Sequence, residues 1–137
     1  MMVYVGLAIG AIFGGLARFS LSVAIPNVNH WPMAILVINL SGSLVLGWFY
    51  GVGGRRSMPA WLRVGFGTGL IGSYTTFSTF SLNIVQLLPQ HAWVAVFYAL
   101  VSLIGGPFLA YLGDFLATFP ARRAVETADS EQAGVGR

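Results

Sequence analysis

Four long apolar runs, separated by short polar or proline-bearing stretches, leave this chain few folds to choose from. They extend from about Val3 to Val23, Met33 to Val52, Ala60 to Leu88 and Ala92 to about Leu112. Each is near or above the roughly 20 residues a helix needs to cross a bilayer. The breaks are Pro26–His30, Gly51–Pro59 and Pro89–His91. Only 8% of the 137 residues are charged, against about 25% in soluble domains, so a soluble fold would have nothing to cover its surface. The expectation is an all-α membrane protein of four transmembrane helices over residues 1–119. The polar, acidic and glycine-rich segment 120–137 reads as a disordered tail. The first run lacks a basic leader and is too long for a cleaved signal peptide.

The third run is too long for one crossing. Residues 60–88 would make a straight helix of about 44 Å, against roughly 30 Å of hydrocarbon. Gly65, Gly67, Gly69 and Gly72 weaken its first half, and a break is expected near residues 73–76. There lies Gly72-Ser-Tyr-Thr-Thr-Phe-Ser-Thr-Phe-Ser81, with seven hydroxyl side chains and two phenylalanines. Polar groups and irregular backbone at membrane depth are tolerated mainly where they are buried in protein or line a wet cavity. A channel or transporter with this stretch at its centre follows. Carbonyls freed at such a break become ion ligands.

Several classes are excluded. With no cysteine, thiolate chemistry and disulfides are impossible. His30 and His91 are single loop histidines without metal-ligand spacing, and no nucleophile–base arrangement is visible, so no enzyme is expected. Seven arginines and no lysine give a net charge of +3, but they sit at helix ends and in the tail, which gives nucleic acid nothing to bind. Gly67-Thr-Gly69-Leu-Ile-Gly72 follows no strand and is no dinucleotide site. No Asp or Glu lies deep in a span, which counts against a proton- or cation-coupled exporter.

Arg18 is the formal charge set well inside a span, either snorkelling to an interface or serving as a buried structural cation. Asn39 shares a face with Ser43, Gly47 and Gly51; it is interhelical glue or, through its two amide donors, an anion contact. Phe77 and Phe80 share a helix face and carry positive ring edges. They are packing contacts or an anion path, with the hydroxyls of Ser78, Thr79 and Ser81 interleaved. Small residues at four-residue spacing (Gly6, Gly10 and Gly14; Ser43, Gly47 and Gly51; Gly65, Gly69 and Ser73; Ser102, Gly106 and Ala110) predict close helix packing. Helices so close leave little room for a pore within one protomer.

Gly14-Gly-Leu-Ala-Arg18, Val37-Ile-Asn-Leu-Ser-Gly-Ser-Leu-Val-Leu-Gly47 and Gly72-Ser-Tyr-Thr-Thr-Phe-Ser-Thr-Phe80 resemble the three signature blocks of the fluoride-specific ion channel family (Fluc/CrcB). The resemblance covers about residues 3–115. It implies a passive fluoride channel in a bacterial plasma membrane, built as an antiparallel dual-topology dimer around a structural sodium ion (Na+). The Gly72 and Thr75 carbonyls would hold that ion. Asn39, Phe77, Ser78, Thr79, Phe80, Tyr98 and Ser102 would line the fluoride path. Three positions depart from the family pattern: Ala34-Ile35 stands in place of Gly-Thr, Ser73 in place of Gly, and Gly106, followed by Pro107, in place of a hydroxyl.

Arginine placement adds an orientation. The N-terminus, the 51–59 loop and the tail share one side with Arg55, Arg56, Arg63, Arg122 and Arg123, and the opposite loops carry none. The positive-inside rule makes that side cytoplasmic. So one-sided a bias predicts one fixed orientation, and hence pairing with an oppositely inserted paralogue. The competing classes are a small antiparallel multidrug or metabolite exporter and a non-conducting partner subunit.

Overall fold

The computed structural model describes residues 1–54 and 58–135, with side chains as far as Phe119. Arg55, Arg56 and the side chains of Arg122 and Arg123 lie outside the described residues. The disordered tail expected over 120–137 likewise falls where side chains lie outside them.

Helix α1 (Met2–Ala24) closes with the Ile25 N–H on the Leu21 carbonyl at 3.0 Å. Pro26 follows, which cannot donate to a continuing helix. A tight turn then joins α1 to α2 (Met33–Gly53). In it Val28 and Trp31 exchange backbone hydrogen bonds of 3.3 and 2.9 Å, and Asn29 and His30 take left-handed φ values of 49° and 67°. Asparagine and histidine are among the side-chain-bearing residues most often found there.

Helix α3 comes in three pieces: an α-helical turn Ala60–Arg63, a π-helical stretch Val64–Ile71 and a final α turn Gly72–Tyr74. Its first half is weakened by glycine as expected, but it widens into a π-helix instead of unwinding. The chain breaks at Thr75, which is extended (φ −78°, ψ 156°), and at Thr76. This is the interruption expected over 73–76. Helix α4 (Phe77–Val135) then follows, with His91 non-helical inside it (φ −136°, ψ 50°). The Phe80 and Tyr98 ring centroids are 5.2 Å apart, although a straight helix would separate them by about 27 Å. Helix α4 therefore doubles back at His91 into two limbs. The third and fourth apolar runs are joined by this bend and not by an open loop.

Three helical runs are long and apolar enough to cross a membrane: Met2–Ala24, Met33–Gly53 and Ala60–Phe119, the last holding both the break and the fold-back. His30 stacks on His91 at 3.8 Å with 22° between the rings, so the α1–α2 turn and the bend of α4 lie at the same end.

Glycines set which helices touch. A Cβ at Gly10 would run into the Gly65 carbonyl oxygen, one at Gly14 into that of Leu70, and one at Gly6 would lie 2.9 Å from that of Trp61. Helix α1 thus packs backbone-to-backbone on α3. A Cβ at Gly47 would likewise meet the Ala110 carbonyl, and one at Gly113 would come within 2.7 Å of the Trp48 nitrogen. This seats α2 on the second limb of α4. Such closeness lets van der Waals contact replace the hydrophobic drive that lipid cannot supply. The core between α2 and α4 holds Ile35, Leu36, Ile38, Phe80 and Tyr98, with Ile38 and Tyr98 fully buried. Ile35 at the departing Ala34-Ile35 pair is thus a core residue. Val5, Ile9, Phe13 and Phe19 of α1 remain exposed, an apolar face suited to lipid.

Candidate functional site

The break between α3 and α4 is held open by side chains. An amide side chain presents a donor and an acceptor in the geometry of a peptide group, and Asn39 on α2 uses both on one residue. Its Oδ1 accepts from the Thr76 N–H at 2.8 Å, and its Nδ2 donates to the Thr76 carbonyl at 3.0 Å. One Nδ2 hydrogen remains. Thr76, buried to 6% exposure, caps α4: its Oγ1 accepts from the Thr79 N–H at 3.3 Å, the contact expected between an N-cap and the third helical residue. The same hydroxyl donates to Thr79 Oγ1 and pairs with Ser78 Oγ, each at 3.2 Å. On the α3 side, the Thr75 N–H and hydroxyl both donate to the Ile71 carbonyl at 2.9 Å. Ser41 and Tyr74 hydroxyls pair at 2.9 Å, a second tie from α2 to the end of α3.

Beside the break lies an open cavity of about 270 Å³, lined by Asn39, Ser43, Thr75, Thr76, Phe77, Phe80, Ser102 and Gly106 together with apolar side chains of α2, α3 and α4. None of the lining side chains is ionisable. Ser102 contributes a buried hydroxyl oxygen with no hydrogen-bond partner among the described residues. An unpaired buried hydroxyl costs about 1–3 kcal/mol, so this oxygen is a candidate to meet whatever enters. Phe77 and Phe80 stand with centroids 5.7 Å apart, but their settings differ. Phe80 is 7% exposed and packs on Tyr98, whereas Phe77 is 76% exposed. Gly72 and Ser78 are exposed too. In a single chain, then, the polar break faces outward.

Of the residues singled out from sequence, Asn39, Thr75, Phe77, Phe80 and Ser102 meet at this cavity. Ser78 and Thr79 attach to it through Thr76. Tyr98 lies behind Phe80, its hydroxyl receiving a bond from Asn83 Nδ2 at 3.5 Å. Gly72 is at the end of α3, outside the cavity lining. Arg18, half-buried on α1, is also not part of that lining, and among the described residues it makes no ion pair.

Two residues with evident roles were missed. Thr76 carries the cap, although only its hydroxyl was counted from sequence. Ser43, taken as a packing residue, lines the cavity, and a Cβ at Gly106 would lie 3.6 Å from its Oγ. Its position four residues after Asn39, on the same helix face, was the available signal. Helix α4 continues through Pro107 with His91 as its non-helical residue, so the proline does not interrupt the wall.

Comparison with known proteins bears on this geometry. A family model described as CrcB-like protein, Camphor Resistance (CrcB), matches residues 5–114. A Bacillus cereus protein named Fluoride-specific ion channel FluC 1 is 36% identical over 132 residues, covering 93% of this chain and 96% of its own length. A Geobacillus kaustophilus protein named Fluoride-specific ion channel FluC 2 is 38% identical, covering 89% and 97%. A Lactiplantibacillus plantarum protein named Fluoride-specific ion channel FluC 1 is 42% identical, covering 85% and 100%.

Proposed function

This chain belongs to the CrcB family of fluoride-specific ion channels, and we propose that fluoride crosses it along the cavity where α3 gives way to α4. It is a fluoride channel of a multi-pass membrane protein family, a transport protein and not an enzyme. A small anion leaving water needs hydrogen-bond donors to replace its hydration. The free Nδ2 hydrogen of Asn39 and the hydroxyls of Ser43 and Ser102 supply them, and the ring edges of Phe77 and Phe80 offer a weaker positive potential. Ser78, Thr79 and Tyr98 support this wall. Weak contacts suit conduction, because an ion held by a full charge leaves slowly. Without an ionisable group along the lining there is nothing to couple fluoride to protons. Fluoride therefore moves down its own gradient, aided outward by about 2.3 kcal/mol per charge per 100 mV of negative-inside potential.

The observation that carries this reading is the outward-facing break. Hydroxyls, loose backbone and an exposed Phe77 at mid-span could not face lipid without large cost. A second copy or a close paralogue, inserted the other way, covers that face in an antiparallel dimer. The apolar limbs, with α4 doubling back, give four crossings per chain. The carbonyl oxygens of Gly72 and Thr75 suit a hard cation, which prefers oxygen ligands; two from each of two chains would surround a structural sodium ion. Such an ion lowers the cost of bringing an anion to mid-membrane. The arginine bias puts both termini in the cytoplasm of a bacterial plasma membrane.

Fluoride efflux from proteoliposomes, followed with a fluoride electrode, tests the function. Efflux above protein-free vesicles, with chloride retained, is expected. Absence of efflux from the chain alone and with an oppositely oriented paralogue would refute it. Cysteine placed near the termini of this cysteine-free chain reads the orientation: labelling from one face supports the paralogue pair, and equal labelling from both supports a homodimer.

A further inference from the structure

We propose that Asn39 and Thr76 are positioning residues that turn ordinary backbone into a cation site, by drawing off the two N–H groups that would otherwise occupy the carbonyls of Gly72 and Thr75. This rests on the sodium reading above and explains how the chain builds such a site without a charged side chain. In an unbroken α-helix the carbonyl of residue i accepts from the N–H of residue i+4. Gly72 would then receive Thr76, and Thr75 would receive Thr79. Neither N–H is free to do so. The Thr76 N–H points to Asn39 Oδ1 at 2.8 Å, and the Thr79 N–H to Thr76 Oγ1 at 3.3 Å. The Ile71 carbonyl one residue earlier shows the contrast: it accepts twice, from the Thr75 N–H and hydroxyl, each at 2.9 Å.

The two diversions depend on each other. Asn39 closes a ring on Thr76 through its second bond, Nδ2 to the Thr76 carbonyl at 3.0 Å. That ring fixes Thr76 beyond the extended Thr75, so the Thr76 hydroxyl is set over the start of α4. Asparagine is suited to this because the clasp needs one donor and one acceptor on the same flat group. Aspartate would keep the acceptor, lose the donor and set its charge against the Thr76 carbonyl. Two of the three strong hydrogen-bonding positions of Asn39 (Oδ1 and one N–H) are therefore spent on backbone. Substitution there acts on the cation first and on the anion second.

The test reads cation binding directly. Thermal unfolding of the purified full-length protein in detergent is followed as sodium chloride replaces choline chloride at constant ionic strength. A ligand that binds only the folded state raises the midpoint with its concentration, so wild type should be stabilised by sodium. Asn39→Asp and Thr76→Val should each raise the sodium concentration for half-maximal stabilisation about tenfold or more, the equivalent of one lost ligand contact. Thr76→Ser keeps the hydroxyl and should restore the wild-type value. Ser22→Ala, on the exposed face of α1, should leave it unchanged. Should Asn39→Asp fail to fold, the Thr76→Val and Thr76→Ser pair decides alone. Variants that bind sodium as wild type does yet conduct fluoride poorly would overturn the proposal and make Asn39 an anion ligand. A wild type indifferent to sodium would instead remove the sodium reading itself, leaving the channel function to the efflux assay.

Discussion

Gly10 and Gly15 lie five residues apart on α1, and the structure assigns them opposite fates on replacement by alanine. Alanine is favoured over glycine inside a helix by roughly 0.5–1 kcal/mol, and both positions gain that. At Gly15 the new methyl meets nothing within 4 Å, so the gain stands. At Gly10 it would collide with the Gly65 carbonyl oxygen, with the Leu70 nitrogen at 2.9 Å and the Gly65 carbonyl carbon at 3.0 Å behind it. All three are backbone atoms of a packed helix and cannot rotate aside, so α1 must move off α3. Overpacking of this kind costs about 1–3 kcal/mol; with rigid backbone on the other side the upper half applies, and the net loss is about 1–2 kcal/mol. At about 4 °C per kcal/mol for a chain this size, Gly10→Ala should unfold some 4–8 °C below wild type and Gly15→Ala a few degrees above it. Thermal scans of the purified protein in detergent at fixed sodium read both. Equal shifts of the same sign would refute the argument, because they would mean that the α1–α3 contact is not backbone-tight.

Three further outcomes follow from the cavity. Ser43→Ala should slow fluoride efflux several-fold with little change in thermal midpoint, since it removes one donor of about 1 kcal/mol from an open wall; an unchanged rate would take Ser43 out of the path. Ser102→Ala should relieve an unpaired buried oxygen, leaving or raising stability while it lowers efflux, whereas lost stability would show that the hydroxyl has a structural partner. Phe80→Ala should cost about 3–5 kcal/mol through the void beside Tyr98 and abolish efflux, while the exposed Phe77→Ala should abolish efflux at far smaller cost in the single chain. If both were equally destabilising, Phe77 would be a core residue.

What the sequence made legible was local. Apolar length marked the helical runs. Four glycines followed by paired threonines marked the weak point of α3, and Pro89–His91 marked the bend of α4. In each case a property of neighbouring residues decides the backbone. The π-helical stretch was not legible, because glycine lowers the cost of any deformation without choosing one. Nor was the clasp. Asn39 and Thr76 are 37 residues apart, and their meeting depends on the register of α2 against the break, which neither segment encodes alone. The motif match located the candidate residues, but it could not say that Asn39 spends most of its amide on backbone. Ser43 was hidden by its size: a serine at four-residue spacing reads as packing until the wall opposite, Gly106, is seen to leave it room.

The wide turn of Val64–Ile71 puts an unusual demand on heredity. Each N–H in a π-helix reaches back five residues instead of four, so the stretch carries surplus chain that an α-helix would not need. Deleting any one of its residues would let it tighten, yet would rotate everything downstream by about 100° and swing Thr76 out of reach of Asn39. Insertions and deletions should thus be absorbed in the connections at either end of the bundle, while the glycine-rich segment keeps its length even where its letters drift.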